Sequence, residues 1–199
     1  MKDNKGLSVS LLYSENVAQS INGNIYVGNQ LPAGAAPALW SATTQQCGLM
    51  NPSSSAKLIV PIRITGTYVS GTGIINGLNL AYVPGCGAGV TAGGVTAATT
   101  ITPVPARLGG SAGQGVFMSA AITCTAPTRL VSLGLNSEVG TAPTVVSANV
   151  PLIYDFYGWL TVPPGYAIVI AADITGITAV YSFSIIWVEI PVSTPDVGW

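Results

Sequence analysis

Apolar and polar positions alternate with a period of two along much of the chain. The clearest case is AVYSFSIIWVEIPV, residues 179–192. One face carries Tyr181, Phe183, Ile185, Trp187 and Glu189, and the other carries Val180, Ser182, Ser184, Ile186, Val188 and Ile190. This alternation predicts a β-strand. Both faces are partly apolar, as expected where one packs into a core and the other meets a neighbour.

Similar but shorter patterns predict most of the remaining chain to be strand. The predicted strands are 24–27, 38–50, 57–69, 74–83, 116–123, 128–135, 150–156, 158–162 and 166–172, with one weak strand within 84–98. Turn-forming residues separate them, and 106–115 is predicted to be a flexible loop. About ten strands with turns every 8–15 residues, and no helical pattern, predict an all-β sandwich, jelly roll or barrel.

Two prolines make local predictions. In the long strand at 57–69, Leu58, Val60, Ile62 and Ile64 are expected on one face, and Lys57, Arg63, Thr65 and Thr67 on the other. Pro61 has no amide proton to donate, so this stretch should lie at a sheet edge or a bulge. In Pro163-Pro164-Gly165, Pro164 presets the first central position of a turn and Gly165 supplies positive φ at the second. The turn is expected to close a hairpin between 158–162 and 166–172.

The composition points towards an assembled protein. Charged residues make up 7% of the 199 residues and the net charge is −1, whereas about 25% charged residues is usual. No basic run is present, so nucleic-acid binding has no electrostatic support. A surface this poor in charge predicts that part of it is hidden in an oligomer or a particle.

Three regions follow from the polarity along the chain. Residues 1–22 are the most polar and are predicted to form an extended N-terminal arm, 23–192 the β-domain, and 193–199 a tail. The candidate interface residues of the arm and tail are Leu7, Val9, Leu11, Leu12, Tyr13 and Trp199. A terminal tryptophan suits a neighbour's pocket, although a frayed arm and a loose tail are equally good interpretations.

The sequence also bears on compartment and membrane association. The opening residues predict no signal peptide, and no apolar run of about 18 residues predicts a membrane span. Cys47, Cys86 and Cys124 are far apart and form no CxxC pair, so we interpret them as small apolar residues in a reduced compartment. Cys86 lies in a Pro-Gly-Cys-Gly loop, so the alternative interpretation of this residue is an exposed thiol.

Catalytic patterns are missing from the sequence. There is no histidine, which removes Ser-His-Asp and Cys-His catalysis and most zinc sites, and no phosphate-binding loop motif is present. The seven carboxylates are scattered, with Asp155 and Asp173 the one pair that a hairpin could bring together. We therefore predict a protein that is not an enzyme and has no cofactor or metal. Asp155, Tyr157 and Trp159 form a candidate ligand patch, the alternative being a strand end where Asp155 satisfies turn backbone.

Two groups of motifs carry a resemblance to a known class of proteins. The first is Met50–Val60 followed by Thr67–Thr72, and the second is Asp155–Gly158, Val162–Ala167 and Trp187–Val192. In order and spacing they resemble motifs of small virion structural proteins of tailed bacteriophages. The chain departs from that pattern at Met50, where tryptophan is frequent, and at Val188, where an acidic residue is usual.

That resemblance implies a specific fold and role. It implies a jelly-roll-like antiparallel β-sandwich, assembled as a homotrimer. The implied function is that of a head decoration, or cement, protein that binds the major capsid protein or other virion proteins. The protein would be made in the host cytoplasm and reside in the virion. The alternative is a head or tail fibre with a glycan-binding module, in which Asp155, Tyr157 and Trp159 would contact the sugar.

Overall fold

A computed structural model describes residues 19–20, 22–36, 44–45, 47–70, 77–86, 95–125, 127–135, 152–172 and 180–192. These residues form twelve strands in two antiparallel sheets, which confirms the predicted all-β sandwich. The strands are β1 (Ile25–Asn29), β2 (Thr44–Gln45), β3 (Cys47–Asn51), β4 (Lys57–Ser70), β5 (Gly77–Pro84), β6 (Val95–Ile101), β7 (Val104–Pro105), β8 (Val116–Cys124), β9 (Thr128–Leu135), β10 (Leu152–Asp155), β11 (Tyr166–Ala172) and β12 (Val180–Pro191).

The strand order is that of a jelly roll. Sheet A has the order β10-β4-β12-β1-β7. Sheet B has the order β6-β8-β3-β11-β5-β9, and β2 continues β3 along β8. Four nested antiparallel pairs join strands that are far apart in sequence: β1–β12, β3–β11, β4–β10 and β5–β9. Successive pairs lie alternately in sheet A and sheet B, as in a jelly roll. Strands β6 and β8 lie between β5 and β9 in the sequence. In the structure they extend sheet B beyond β3.

The main core lies between the two sheets. Its largest fully buried side chains come from both of them and include Trp187, Phe117, Phe183, Leu49, Ile64 and Ile168. Gln30 joins the sheets through polar contacts. Its Nε2 donates to the carbonyl of Ser119 at 2.6 Å, and its Oε1 accepts from the amide of Phe183 at 3.1 Å. A buried amide with both ends bonded fixes how the sheets sit on each other.

Sheet B is buried on its second face as well. By strand alternation, a second apolar cluster lies on the face turned away from sheet A. It consists of Met50, Ala81, Val83, Cys86, Met118, Ile122, Cys124, Ala167 and Val169. Most of these side chains have no accessible surface, so strands β3, β5, β8 and β11 are apolar on both sides.

The prediction for the long strand holds in its second half only. Ile186 faces Arg63 and Trp187 faces Pro61, so Ile62 is the extra residue of a β-bulge between β4 and β12. A sheet edge or a bulge was predicted at Pro61, and the structure has the bulge. The bulge shifts the alternation by one residue. Ile59 is therefore buried, and Leu58 and Val60 lie on the opposite face from Ile64, which was not predicted.

The alternation predicted for the last strand is confirmed along β12. Tyr181, Phe183, Ile185, Trp187 and Glu189 are all buried, and most of the opposite face remains partly accessible. The carboxylate of Glu189 therefore points inward with the aromatic residues of the strand.

The turn at Pro163–Gly165 has the predicted conformation and a different role. The amide of Tyr166 donates to the carbonyl of Pro163 at 3.2 Å and Gly165 has φ of 85°. However, 158–162 is not a strand; Val162 makes a single bridge to Ile59 of sheet A. The turn therefore carries the chain from sheet A to β11 of sheet B, and the predicted hairpin is wrong.

Other sequence predictions have mixed outcomes. The weak strand expected within 84–98 is β6, which extends to Ile101, and the short strands β2 and β7 were not predicted separately. Residues 1–18 and 193–199, which contain most of the predicted arm and the predicted tail, lie outside the described residues. Gln19 and Ser20 accept hydrogen bonds from the amides of Asn24 and Gly23, so they attach directly to the beginning of β1.

Candidate functional site

A turn between β10 and β11 carries the most exposed aromatic side chain of the described structure. We name residues Asp155–Trp159 the aromatic turn. The amide of Trp159 donates to the carbonyl of Phe156 at 3.1 Å, and Tyr157 and Gly158 have φ of 49° and 79°. Two successive positive φ angles within this bond identify a type I′ turn, which Asn and Gly favour. Tyr157 is the one non-glycine residue with positive φ among those described.

The aromatic side chains of this turn divide between core and solvent. Phe156 is fully buried, whereas Tyr157 is 92% exposed and Trp159 is 51% exposed. The ring centroids of Phe156 and Trp159 lie 5.7 Å apart at 37°, and those of Tyr154 and Phe156 lie 5.1 Å apart at 74°. The core thus supports one side of the Trp159 indole and leaves the rest of the ring to solvent.

An ion pair lies beside the aromatic turn. Arg63 Nε donates to Asp155 Oδ1 at 2.6 Å and Arg63 Nη2 donates to Oδ2 at 3.1 Å, a bidentate contact between β4 and β10. The hydrogen bond from Arg63 to Asp155, and attraction to the same carboxylate, raise the pKa of the guanidinium. Tyr157 has a smaller electrostatic effect, which also raises the pKa of Arg63.

Backbone hydrogen bonds attach the turn firmly to β4. The amide of Phe156 donates to the carbonyl of Ile62 at 2.9 Å, immediately after the β-bulge. The amide of Val162 donates to the carbonyl of Ile59 at 2.7 Å and receives the reciprocal bond at 3.1 Å. The buried side chain of Asn51 donates to the carbonyl of Val162 at 2.8 Å. The exposed aromatics therefore sit on a segment fixed at both ends.

A shallow apolar groove begins where the aromatic turn ends. It has a volume of about 210 Å³ and is lined mainly by Tyr82, Leu130, Leu160, Val162, Pro163 and Tyr166. It lies over β5, β9 and β11 of sheet B. Nothing in its lining is charged, so it offers apolar contact without chemistry of its own.

The outer face of sheet A is a second candidate surface. Cross-strand neighbours form a row across all five strands: Val104, Val27, Ile186, Arg63 and Asp155. Two further rows contain Ile25, Val188 and Val60, and then Ile190 and Leu58. Val104 and Ile190 are exposed and Val27, Ile186, Val60 and Leu58 are half-buried. Beyond the first row the face becomes hydroxyl-rich, with Thr65, Thr67, Ser182 and Ser184.

The most elaborate polar cluster of the described residues surrounds the buried carboxylate of Glu189. Its Oε2 accepts from Lys57 Nζ at 3.2 Å and from the amide of Gln114 at 2.9 Å. Its Oε1 accepts from the amide of Gly115 at 2.8 Å and from Trp187 Nε1 at 3.3 Å. Four donors satisfy the carboxylate, as a fully buried charge requires. The cluster fixes the end of loop 106–115 on sheet A, so this part of the predicted flexible loop is well anchored.

The structure describes only some of the predicted site residues. Asp155, Tyr157 and Trp159 are brought together on the aromatic turn, and Asp155 binds Arg63 rather than turn backbone. Leu7, Val9, Leu11, Leu12, Tyr13 and Trp199 lie outside the described residues, as does Asp173. The sequence analysis missed Arg63 as the partner of Asp155, and it missed the outward aliphatic rows beyond β12.

The cysteines and the remaining charged groups provide no reactive centre in the described part of the chain. All three thiols are free and buried, and burial raises the pKa of Cys86 to about 11 and that of Cys124 to about 12. The described residues contain no group of three or more possible metal ligands. They also contain no helix with the length and hydropathy that a membrane span requires.

Comparison with known proteins yields no match to a family model, to a curated protein or to a solved structure.

Proposed function

We propose that the protein is a structural component of a bacteriophage virion, and specifically a decoration protein that binds the head shell. The observation that carries this proposal is the aliphatic outer face of sheet A on a jelly-roll domain. The resemblance of Met50–Val60 and Trp187–Val192 to tailed-phage virion proteins supports the same role, because both segments contribute to this face.

The outer face of sheet A has the properties of a subunit contact. Its central rows are aliphatic, and its charges, Arg63 and Asp155, neutralise each other at one edge. Strand spacing and length give the whole outer face roughly 500–600 Å² in projection, about two thirds of the ~800 Å² of accessible surface that each partner buries in a stable interface. Interface centres are depleted of charge in the same way. We infer that this face contacts a second copy in a homotrimer or the major capsid protein.

The proposal is tested on purified full-length protein by light scattering and by binding to undecorated heads. We expect a mass three times that of the 20.2 kDa chain, or a monomer that binds heads tightly. Ile186→Glu places a charge in the aliphatic rows and should abolish the trimer or the head binding. Ser184→Glu, two residues away on the same strand and face, is the matched control and should retain it.

Two results would contradict this function. One is a monomer that binds neither itself nor heads. The other is equal loss of assembly in Ile186→Glu and Ser184→Glu, which would mean that the aliphatic rows are not the contact. Circular dichroism and unfolding midpoints confirm that both variants are folded before either result is interpreted.

A further inference from the structure

The fold gives no reason for a tyrosine at position 157. The turn geometry favours asparagine or glycine at this position, because residues with a Cβ rarely adopt positive φ. The side chain is 92% exposed, so burial does not compensate for the strained backbone. A residue retained in such a conformation points to a role in binding.

Trp159 completes an aromatic platform next to Tyr157. Half of its surface is exposed although its ring contacts the buried Phe156. The contact with Phe156 supports one side of the indole, and backbone hydrogen bonds fix both ends of the segment that carries it. An aromatic face fixed in advance loses little conformational entropy when a ligand stacks on it.

The ion pair provides hydrogen-bonding groups at the edge of this platform. Arg63 uses two of its five N–H donors on Asp155, and each oxygen of Asp155 accepts one bond in return. Donors and acceptors therefore remain for a ligand on one planar, electrically neutral pair. A ligand that matches needs an apolar face for stacking and neighbouring hydroxyls that both donate and accept.

We propose that Tyr157, Trp159, Asp155 and Arg63 form a binding site for a neutral pyranose sugar. The C–H face of the ring stacks on the aromatic side chains, and adjacent hydroxyls donate to Asp155 and accept from Arg63. The neutral pair disfavours phosphate or sulfate ligands. Arg63 and Asp155 end the first row of the outer face on β4 and β10, and Arg63 lies opposite Ile186. The sugar site does not depend on the virion role.

The test is an NMR titration of the full-length protein with methyl glycosides of glucose, galactose, mannose and N-acetylglucosamine, at millimolar concentrations. The chain supplies its own reference signal. The indole N–H of Trp159 should shift on binding of one of these sugars, whereas the indole N–H of Trp187, which is buried on Glu189, should not.

Two variants separate binding at the turn from non-specific contact. Tyr157→Asn suits the turn and removes the ring, so the protein should stay folded and bind about tenfold more weakly. Tyr166→Asn removes a tyrosine that is also exposed, on β11, and should leave the affinity unchanged. Asp155→Asn should weaken binding with the Trp159 signal still at its original position in the free protein.

Specific results would overturn the assignment. The assignment is wrong if the Trp159 indole N–H shifts with none of the four sugars. It is also wrong if Tyr157→Asn and Tyr166→Asn weaken sugar binding equally. A third contrary result is a change in solution mass in Tyr157→Asn with no sugar response, which would make the turn a protein contact. Ile186→Glu would place a carboxylate opposite Arg63, so the sugar titration is made on the protein with Ile186 unchanged. Assembly and sugar binding are then separate measurements, and the two proposals fail separately.

Discussion

Sheets A and B use their outward faces in opposite ways. The outward face of sheet B carries a fully buried apolar cluster that includes Met118 and Ile122. On the outward face of sheet A, Ile25 and Val188 are buried, and the other aliphatic side chains of the rows remain partly accessible. The charged residues of the described strands are also distributed unequally between the two sheets. Sheet A contains Lys57, Arg63, Asp155 and Glu189, and sheet B contains Arg129.

This difference assigns distinct roles to the two halves of the sandwich. Strands β3, β5, β8 and β11 of sheet B are apolar on both sides and contribute mainly to stability. Sheet A packs aromatic residues into the core from its inner face, and its outer face is the one that we propose contacts a partner. Its two ion pairs, Lys57–Glu189 and Arg63–Asp155, both start from β4, yet one carboxylate is buried and the other lies at the surface.

The largest effect is expected from Glu189→Ala on the inner face of sheet A. The change leaves Lys57 Nζ, Trp187 Nε1 and the amides of Gln114 and Gly115 without their acceptor. Removing one partner of a buried ion pair destabilises a protein by about 3–5 kcal/mol. Urea unfolding measures the loss.

Glu189→Gln is the conservative companion to that variant. Its amide retains one acceptor oxygen, so it should recover part of the stability lost in Glu189→Ala. A loss below about 1 kcal/mol in Glu189→Ala would show that the cluster does not anchor the loop, since an ordinary neutral hydrogen bond already contributes that amount.

A matched pair of isoleucines tests the contrast between the outward faces. Ile122→Ala in sheet B should lower the free energy of unfolding by about 2–5 kcal/mol, because the side chain is fully buried. Ile186→Ala in sheet A should cost about 1 kcal/mol or less, because that side chain is half-buried. Equal losses by thermal or urea unfolding would remove the distinction between the sheets.

The reactivity of Cys86 tests whether the second apolar cluster of sheet B is buried. Burial raises the pKa of Cys86 from 9.0 to about 11. The folded protein therefore holds this proton more tightly than the unfolded chain, and the free energy of unfolding should fall as pH rises from 9.0 towards 11. At pH 8 a thiol reagent should react at least about a hundredfold faster with the unfolded chain than with the native protein. Rapid labelling of native protein would contradict the buried cluster.

The exposed ion pair of sheet A should matter little for stability. Asp155→Asn removes the charge that receives both bonds from Arg63. Surface ion pairs contribute about 0.2–1 kcal/mol, and salt weakens them. We expect a loss within that range that disappears in high salt, measured by urea unfolding at two ionic strengths. A larger, salt-independent loss would mean that the pair holds β10 in place.

The smallest effect should have the opposite sign. Tyr157→Asn relieves a tyrosine from positive φ and should stabilise the protein by about 0.5–1 kcal/mol. Tyr157→Ala keeps the strain and provides the comparison. A melting temperature that is lower for the asparagine variant than for the alanine variant would show that the ring itself supports the turn.

The sequence predicted the features that depend on neighbouring residues. The strand pattern of β12, the bulge at Pro61 and the turn at Pro163–Gly165 all follow from residue types within a few positions. Asp155, Tyr157 and Trp159 were likewise named from one short stretch, although the sequence analysis predicted 158–162 as a strand and did not predict the turn. These properties need no information about the rest of the fold.

Features that depend on distant segments were not predictable in this way. The donors around Glu189 come from the beginning of β4, the end of loop 106–115 and β12. Arg63 is separated from Asp155 by 92 positions. The wrong face assigned to the first half of β4 has a related cause. One extra residue in a bulge reverses the side chains on one side of it relative to those on the other, and the residue pattern does not show which residue is extra.

The pairing of β1 with β12 has a mechanical consequence. Ile25 faces Val188, and the amide of Glu189 donates to the carbonyl of Asn24 at 2.9 Å. Residues 24 and 192 therefore leave the sandwich from the same end, on adjacent antiparallel strands. A force that pulls these two points apart would break the ladder between β1 and β12 one hydrogen bond at a time, like a zipper, because it does not shear all the bonds together. Tension from opposite neighbours would thus peel β1 away first, while β4 still holds β12 through its other edge.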